Sequence, residues 1–214
     1  MYLVTAPWFL KIGYPSFIWK IPEKEKVIYL TFDDGPHETA TPFVLDTLKK
    51  YEAKASFFCI GKNVTAYPSI YKRILQEGHV TGNHTHHHLN GWKTDDATYL
   101  QDIKAAAKLI HSSLFRPPYG RIQKSQWRKL KQENNLYPGQ QTAIKIIMWD
   151  ILSGDFDTEL IPNRCLANVL YHAKPGSIIV FHDSTKAWER MSYALPRVLE
   201  YFSRGGYAFK GLPV

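Results

Sequence analysis

The chain is poor in cysteine, in acidic residues and in unbroken hydrophobic runs, and each shortage closes off a class of protein. Only two cysteines occur in 214 residues. Cys59 lies inside an apolar run and Cys165 inside a helix-like segment, so both read as small buried hydrophobes and not as a disulfide framework. Acids number 19 against 27 lysines and arginines, a formal charge of +8, which suits an anionic partner. The basic residues are nevertheless scattered. Lys124, Arg128, Lys129 and Lys131 form the one dense group, and on a helix they spread around most of its circumference, so no nucleic-acid partner is expected. Residues 1–21 are aromatic and apolar, but Pro7, Lys11 and Pro15 interrupt them, and neither a basic leading region nor a small-residue cleavage site is present. They are expected neither to serve as a signal peptide nor to form a transmembrane segment, which favours a cytoplasmic location. Repeats and low-complexity tracts are also missing.

What is present supports one sizeable core: 44% of residues are hydrophobic and 14% aromatic, at a length that is short for two domains. Residues 27–32 read as a strand that stops at Asp33-Asp34-Gly35-Pro36. Adjacent side chains on an extended segment diverge, so the two acids are placed for different tasks, unless they merely cap the helix beginning near Ala40. Helices are predicted over 41–51, 68–77 (with Ile70, Ile74 and Leu75 on one face), 95–113, 125–134, 162–172 and 195–203. Between them, strands are predicted over 55–60, 79–83, 143–149 and 177–181, with a closing strand over 207–209. The alternation implies an α/β fold with a parallel sheet, closed or nearly closed into a barrel over 27–214. Segment 1–26, carrying Trp8, Phe9, Tyr14, Phe17 and Trp19, is expected to cover one end of that core. In barrels of this kind the working groups gather at the carboxyl ends of the strands, and Asp33, Asp34, His84, Arg116, Asp155 and His182 all follow a strand or short extended stretch.

The run of histidines is either surface decoration or part of a metal site. His84 and His88, four residues apart, would face one side of a helical turn and offer two imidazole nitrogens. A carboxylate from the Asp33-Asp34 pair completes a two-histidine, one-carboxylate set, a composition shared by hydrolytic zinc sites and non-haem iron oxygenases. The second aspartate is then free as a general base for the attacking water, and Arg116, next to the rigid Pro117-Pro118 turn, is the candidate to orient it. Expulsion of an amine needs an acid on the other side. His182 can fill that part, with Asp155 stabilising its imidazolium, although a satisfied core histidine is the bland alternative. His86 and His87 receive no role.

Five stretches in order, Thr31-Phe32-Asp33-Asp34-Gly35-Pro36, His84-Thr85-His86-His87-His88, Arg116-Pro117-Pro118-Tyr119-Gly120, residues 149–156 and Val180-Phe181-His182-Asp183-Ser184, resemble the motifs of the polysaccharide deacetylases, the carbohydrate esterase family 4 or NodB homology domain. Ala55-Ser56-Phe57-Phe58-Cys59-Ile60-Gly61 is similar to that family's second strand. The resemblance implies a distorted barrel with fewer than eight strand-helix units and hydrolysis of N-acetyl, sometimes O-acetyl, groups on an acetylated glycan. It implies one divalent metal, zinc before cobalt or nickel, held by Asp34, His84 and His88. Asp33 would be the base, oriented by Arg116, and His182 the acid, tuned by Asp155. The backbone N–H of Tyr119 would meet the oxyanion, and Trp149, Leu152 and Val180 would wall the acetyl pocket. The family usually has tryptophan after the tuning aspartate, where this chain has Phe156, so the expected shape of that pocket is open. A non-catalytic glycan-binding module and a same-fold hydrolase of small non-sugar amides are the competing readings.

Overall fold

The structure is a computed structural model, and residues 3–133, 136 and 143–213 are described. Eight parallel-paired strands make one curled sheet: β1 (Val27–Asp33), β2 (Ser56–Cys59), β3 (Val80–Asn83), β4 (Leu114–Phe115), β5 (Lys145–Ile146), β6 (Ile151–Leu152), β7 (Ile178–His182) and β8 (Ala208–Phe209). Their order is β5-β4-β3-β2-β1-β7-β6, with β8 joined to the start of β1. The helices are α1 (Trp8–Gly13), α2 (Ala40–Lys50), α3 (Gly61–Ala66), α4 (Pro68–Gln76), α5 (Asp96–Ala107), α6 (Lys124–Gln132), α7 (Pro162–His172) and α8 (Trp188–Arg204).

All seven residues of β1 are buried, as a central strand covered on both faces requires. Alternate side chains go to opposite faces. Ile28, Leu30 and Phe32 join the core under the helices, with Val44, Leu45 and Leu48 of α2 and Leu195, Val198 and Leu199 of α8. Val27 and Tyr29 join the interior of the barrel with Phe58, Leu114, Ile147 and Ile178. Each fully buried leucine in this arrangement contributes about 1.5–3 kcal/mol relative to exposure. The polar members of the interior-facing set, Thr31 and Asp33, follow Tyr29 at the same period of two, which aims them into the barrel near its rim.

The curled sheet does not close on itself, because β5 and β6 at its two edges do not pair. The N-terminal segment lies in that seam. Ile18 donates its N–H to Ile146 O (2.9 Å) and accepts from Met148 N (2.8 Å) on one side. On the other, Leu152 N donates to Val4 O (2.8 Å) and Ala6 N to Asp150 O (3.0 Å). Phe17 and Trp19 are buried in a core with Phe115 and Ile146, and Tyr14 stacks on Phe17. Trp8 and Phe9 depart from the expectation: they stand exposed on α1, which buries no residue.

Several predicted elements differ from the observed ones. Gly61 begins α3, a helix the sequence reading omitted because Gly61-Lys62-Asn63-Val64-Thr65-Ala66 has too few apolar positions for a period. On α4, Ile74 is buried but Leu75 is exposed, since it lies a full 100° further round the helix. α5 stops at Ala107, not Ser113, and Leu114–Phe115 forms the short strand β4 that the sequence reading omitted. Residues 143–149 are not one strand; only Lys145–Ile146 pair with β4, and β6 is a separate edge. α6 runs to Gln132, and the predicted end at Asn134 lies outside the described residues. α8 begins at Trp188 instead of Leu195 and runs through Pro196, whose lost backbone hydrogen bond is offset by seven buried residues along the helix.

Candidate active site

The carboxyl ends of the strands converge on one rim. β1 ends at Asp33, paired in register with His182 at the end of β7, and β3 ends at Asn83, just before His84. Asp33, Asp34, His84, His88, Tyr119, Trp149, Leu152, Val180 and His182 all line a cleft of about 960 Å³. Arg116 and Asp155 do not reach it; they are fully buried behind Asp33 and His182.

Asp34 leaves the strand with φ 81°, in the left-handed region, and this turns its carboxylate away from that of Asp33. Neither acid caps α2: its N-cap, Thr39, receives no side-chain cap, and the Asp34 Oδ1 atom is buried without a hydrogen-bond partner among the described residues. Instead Oδ1 faces His88 Nε2 at 3.2 Å and His84 Nε2 at 3.8 Å. The ligand atoms of Asp34, His84 and His88 lie within 4.8 Å of one another. Burial alone would raise the Asp34 carboxyl, but the facing imidazoles of His88, His182 and His84 hold it well below the usual carboxylate range.

The two histidines meet by a route other than the one predicted. Residues 84–88 are not helical; Thr85 (φ 63°) and His88 (φ 59°) both adopt left-handed conformations that fold the loop back on itself. Its backbone is held on every side. Gly61 N and Lys62 N at the start of α3 donate to Thr85 O and His86 O, and Asn83 Oδ1 accepts from Thr85 N. Asp102 of α5 accepts from His86 N (2.8 Å) and His87 N (2.9 Å), and from His87 Nδ1 (2.6 Å). His84 Nδ1 donates to Arg116 O at 2.7 Å, which leaves its Nε2 lone pair toward Asp34. Burial pulls the His84 imidazole down to about 4, so it is the neutral form a metal requires. An orphaned carboxylate oxygen, two converging imidazoles and a fixed tautomer are a donor set that fits a small divalent cation.

Arg116 is held by more than its neighbouring prolines. Its Nη1 donates to Asp33 Oδ1 and Thr31 Oγ1, both at 2.7 Å; Nε and Nη2 donate to Ile147 O and Met148 O; and the guanidinium lies 4.1 Å from the Phe58 ring centre. With all these donors used, the charge has one orientation, and Asp33 is fixed by it. His182 donates from Nδ1 to Asp155 Oδ1 (2.8 Å), and its backbone N–H meets Oδ2. Burial acts to lower this imidazole, but Asp155, with Asp34 and Asp33 nearby, outweighs it and pushes it up to about 10. His182 therefore carries a proton at neutral pH, with Nε2 available to the cleft. Phe156 packs edge-on against it, with ring centres 5.4 Å apart.

Tyr119 is also left-handed (φ 60°), its ring lying 4.6 Å from that of His88. Among the described residues, four of the five non-glycine residues with positive φ lie here, Asp34, His88 and Tyr119 lining the cleft and Thr85 in the loop beside it, a concentration of backbone strain characteristic of functional sites.

Sequence reading missed several supports. Asp183, inside the His182-Asp183 pair, is fully buried; burial pushes its carboxyl up to about 8. It accepts from Gly35 N and from Thr41 Oγ1, and a Cβ on Gly35 would lie 2.1 Å from Asp183 Oδ2. Asn63 of α3 donates to Asp34 O at 2.7 Å. The available signal was a polar residue in a buried position, as with Thr31 in an apolar strand. For Asn63 and Asp102, each on a helix of mixed polarity, nothing local distinguished them.

Residues 20–137 match the polysaccharide deacetylase family. A peptidoglycan-N-acetylglucosamine deacetylase of Bacillus cereus is 35% identical over 89% of this chain and 88% of its own length. A chitooligosaccharide deacetylase of Azorhizobium caulinodans is 30% identical, covering 91% of this chain and 96% of its own. Among solved structures, a peptidoglycan N-acetylglucosamine deacetylase in complex with an N-oxidanyl-benzamide superimposes with a TM-score of 0.82 at 30% identity, over 96% of this chain and 94% of that one.

Proposed function

Because this chain belongs to the polysaccharide deacetylase family, we propose that it removes acetyl groups, chiefly N-acetyl, from a glycan such as peptidoglycan or N-acetylglucosamine oligomers, with a divalent metal at Asp34, His84 and His88. Zinc is the first choice for two imidazoles and one carboxylate, with cobalt or nickel able to replace it. When bound, the metal supplies Lewis-acid activation of water and of the acetyl carbonyl.

The chain's own residues divide the remaining work. Asp33, fixed by Arg116, takes a proton from the attacking water as the new C–O bond forms. The backbone N–H of Tyr119 stabilises the oxyanion, and Trp149, Leu152 and Val180 enclose the methyl. His182, protonated and held by Asp155, gives its proton to the nitrogen as the C–N bond breaks, so that acetate and a free amine leave. The observation that carries the reading is the set of groups brought to one rim: an arginine-held carboxylate, an aspartate-held imidazolium and a three-donor metal set.

A glycan is favoured over a small cyclic amide by the cleft walls. Trp92 and Tyr119 are each 60% exposed, and with Trp149 and Phe156 they offer aromatic surface on the walls of the cleft. The test is acetate release from N-acetylglucosamine oligomers and from peptidoglycan. Release is expected with zinc, loss to background with a chelator, and recovery on adding zinc back. No acetate from any acetylated glycan in the zinc-loaded protein would overturn glycan deacetylation and leave the binding module and the small-amide hydrolase as the readings to separate.

A further inference from the structure

Five large apolar side chains stand exposed between positions 3 and 12: Leu3 (60%), Trp8 (73%), Phe9 (56%), Leu10 (37%) and Ile12 (70%). This is not a frayed terminus. The seam hydrogen bonds fix the chain on both sides of α1, and Lys11 Nζ reaches Asp150 Oδ1 at 2.9 Å. Trp8 and Phe9 pack edge to face, 6.2 Å between ring centres. A six-residue helix has no stability of its own, so the fold holds α1 in a conformation that presents apolar surface outward. Such a patch calls for an occupant.

The chemistry selects a lipid surface. A sugar needs hydrogen-bonding groups beside an aromatic face, whereas Leu3, Leu10 and Ile12 offer none and the lysine among them is committed to Asp150. Trp and Phe with branched aliphatic residues suit the boundary between headgroups and acyl chains. Charge agrees. Leu3 and Leu10 also line the cleft, whose exposed lining charges are the cations Arg121 and Lys186, with Asp33, Asp34 and His182 in less accessible positions. Lys20, at the far end of the segment, is exposed, and the whole chain carries +8. Among the described residues no helix is long and apolar enough to cross a membrane. We infer that the outer face of α1, with Leu3, docks peripherally on an anionic bilayer, with the cleft opening beside the lipid.

The test is co-sedimentation of the full chain with vesicles of phosphatidylglycerol and phosphatidylcholine, against phosphatidylcholine alone. The wild type is expected to pellet with the anionic vesicles and to be weakened by salt. A Trp8→Gln, Phe9→Gln, Ile12→Gln variant, none of whose three positions lines the cleft, is expected to bind at least about tenfold more weakly with an unchanged circular dichroism spectrum. Quenching of wild-type tryptophan fluorescence by brominated acyl chains gives the same reading without substitution. A wild type that stays in solution and unquenched, or a folded triple variant that binds as well, would overturn the inference. So would light scattering that shows a lipid-free dimer converted to monomer by the triple variant, since a second copy would then be the occupant. Binding is read without substrate, so its outcome is separate from that of the deacetylase assay.

Discussion

Asp155 makes His182 what it is, since the carboxylate accepts from both the ring and the backbone of the same residue. A histidine pushed up to about 10 in the fold, from an ordinary value near 6.5, contributes stability that is complete below about pH 6.5 and is lost as pH rises through about 10. The same sign governs its use as an acid: the catalytic form is present below the folded value and titrates away above it. Asp155→Asn is therefore expected to move the alkaline limb of kcat toward neutrality by about one pH unit or more, and to slow turnover by about 10². A pH profile on N-acetylglucosamine oligomers checks this; an unmoved limb would mean that another group donates the proton. These residues were legible in the sequence because their types are rare in buried positions and each follows an apolar run. Partners such as Asp183 and Asn63 were not, because their roles exist only once distant strands and helices meet.

At the level of elements, strands β1, β2, β3 and β7 and helices α2 and α7 were read to within about two residues, since each has a buried apolar run or a clear helical period with turn residues at its ends. The loop 84–88 was read as a helical turn and is not one. Four-residue spacing is shared by helices and by loops with left-handed residues, and spacing alone does not separate them. What builds this loop is a set of hydrogen bonds from α3 and α5, of which Asp102 supplies three acceptor contacts. Asp102→Ala is expected to weaken zinc binding about 10–100-fold, measured by competition with a chromogenic chelator, while the protein stays folded. Unchanged affinity would show that the α3 amides and the Asn83 side chain hold the loop unaided.

On the scale of the whole molecule, the barrel is a curled sheet with a seam, and the N-terminal segment fills it. The barrel itself was legible from the alternation of strands and helices. The seam was not, because the short edges β5 and β6 carry two residues each and the filling strand pairs through isolated bridges. The ends of β1, β3 and β7 meet at one rim, and there two neighbouring acids divide the labour. Asp33 belongs with Arg116 and Asp34 with His84 and His88. Asp33→Asn is the substitution of choice, since it keeps an oxygen for Arg116, whereas removing one partner of a buried pair costs about 3–5 kcal/mol. The decisive measurement is zinc per chain beside acetate release in Asp33→Asn and Asp34→Asn. The account predicts that Asp33→Asn retains its zinc and loses turnover by about 10²–10⁴, and that Asp34→Asn loses the zinc. Loss of zinc from Asp33→Asn, with zinc kept by Asp34→Asn, would contradict it.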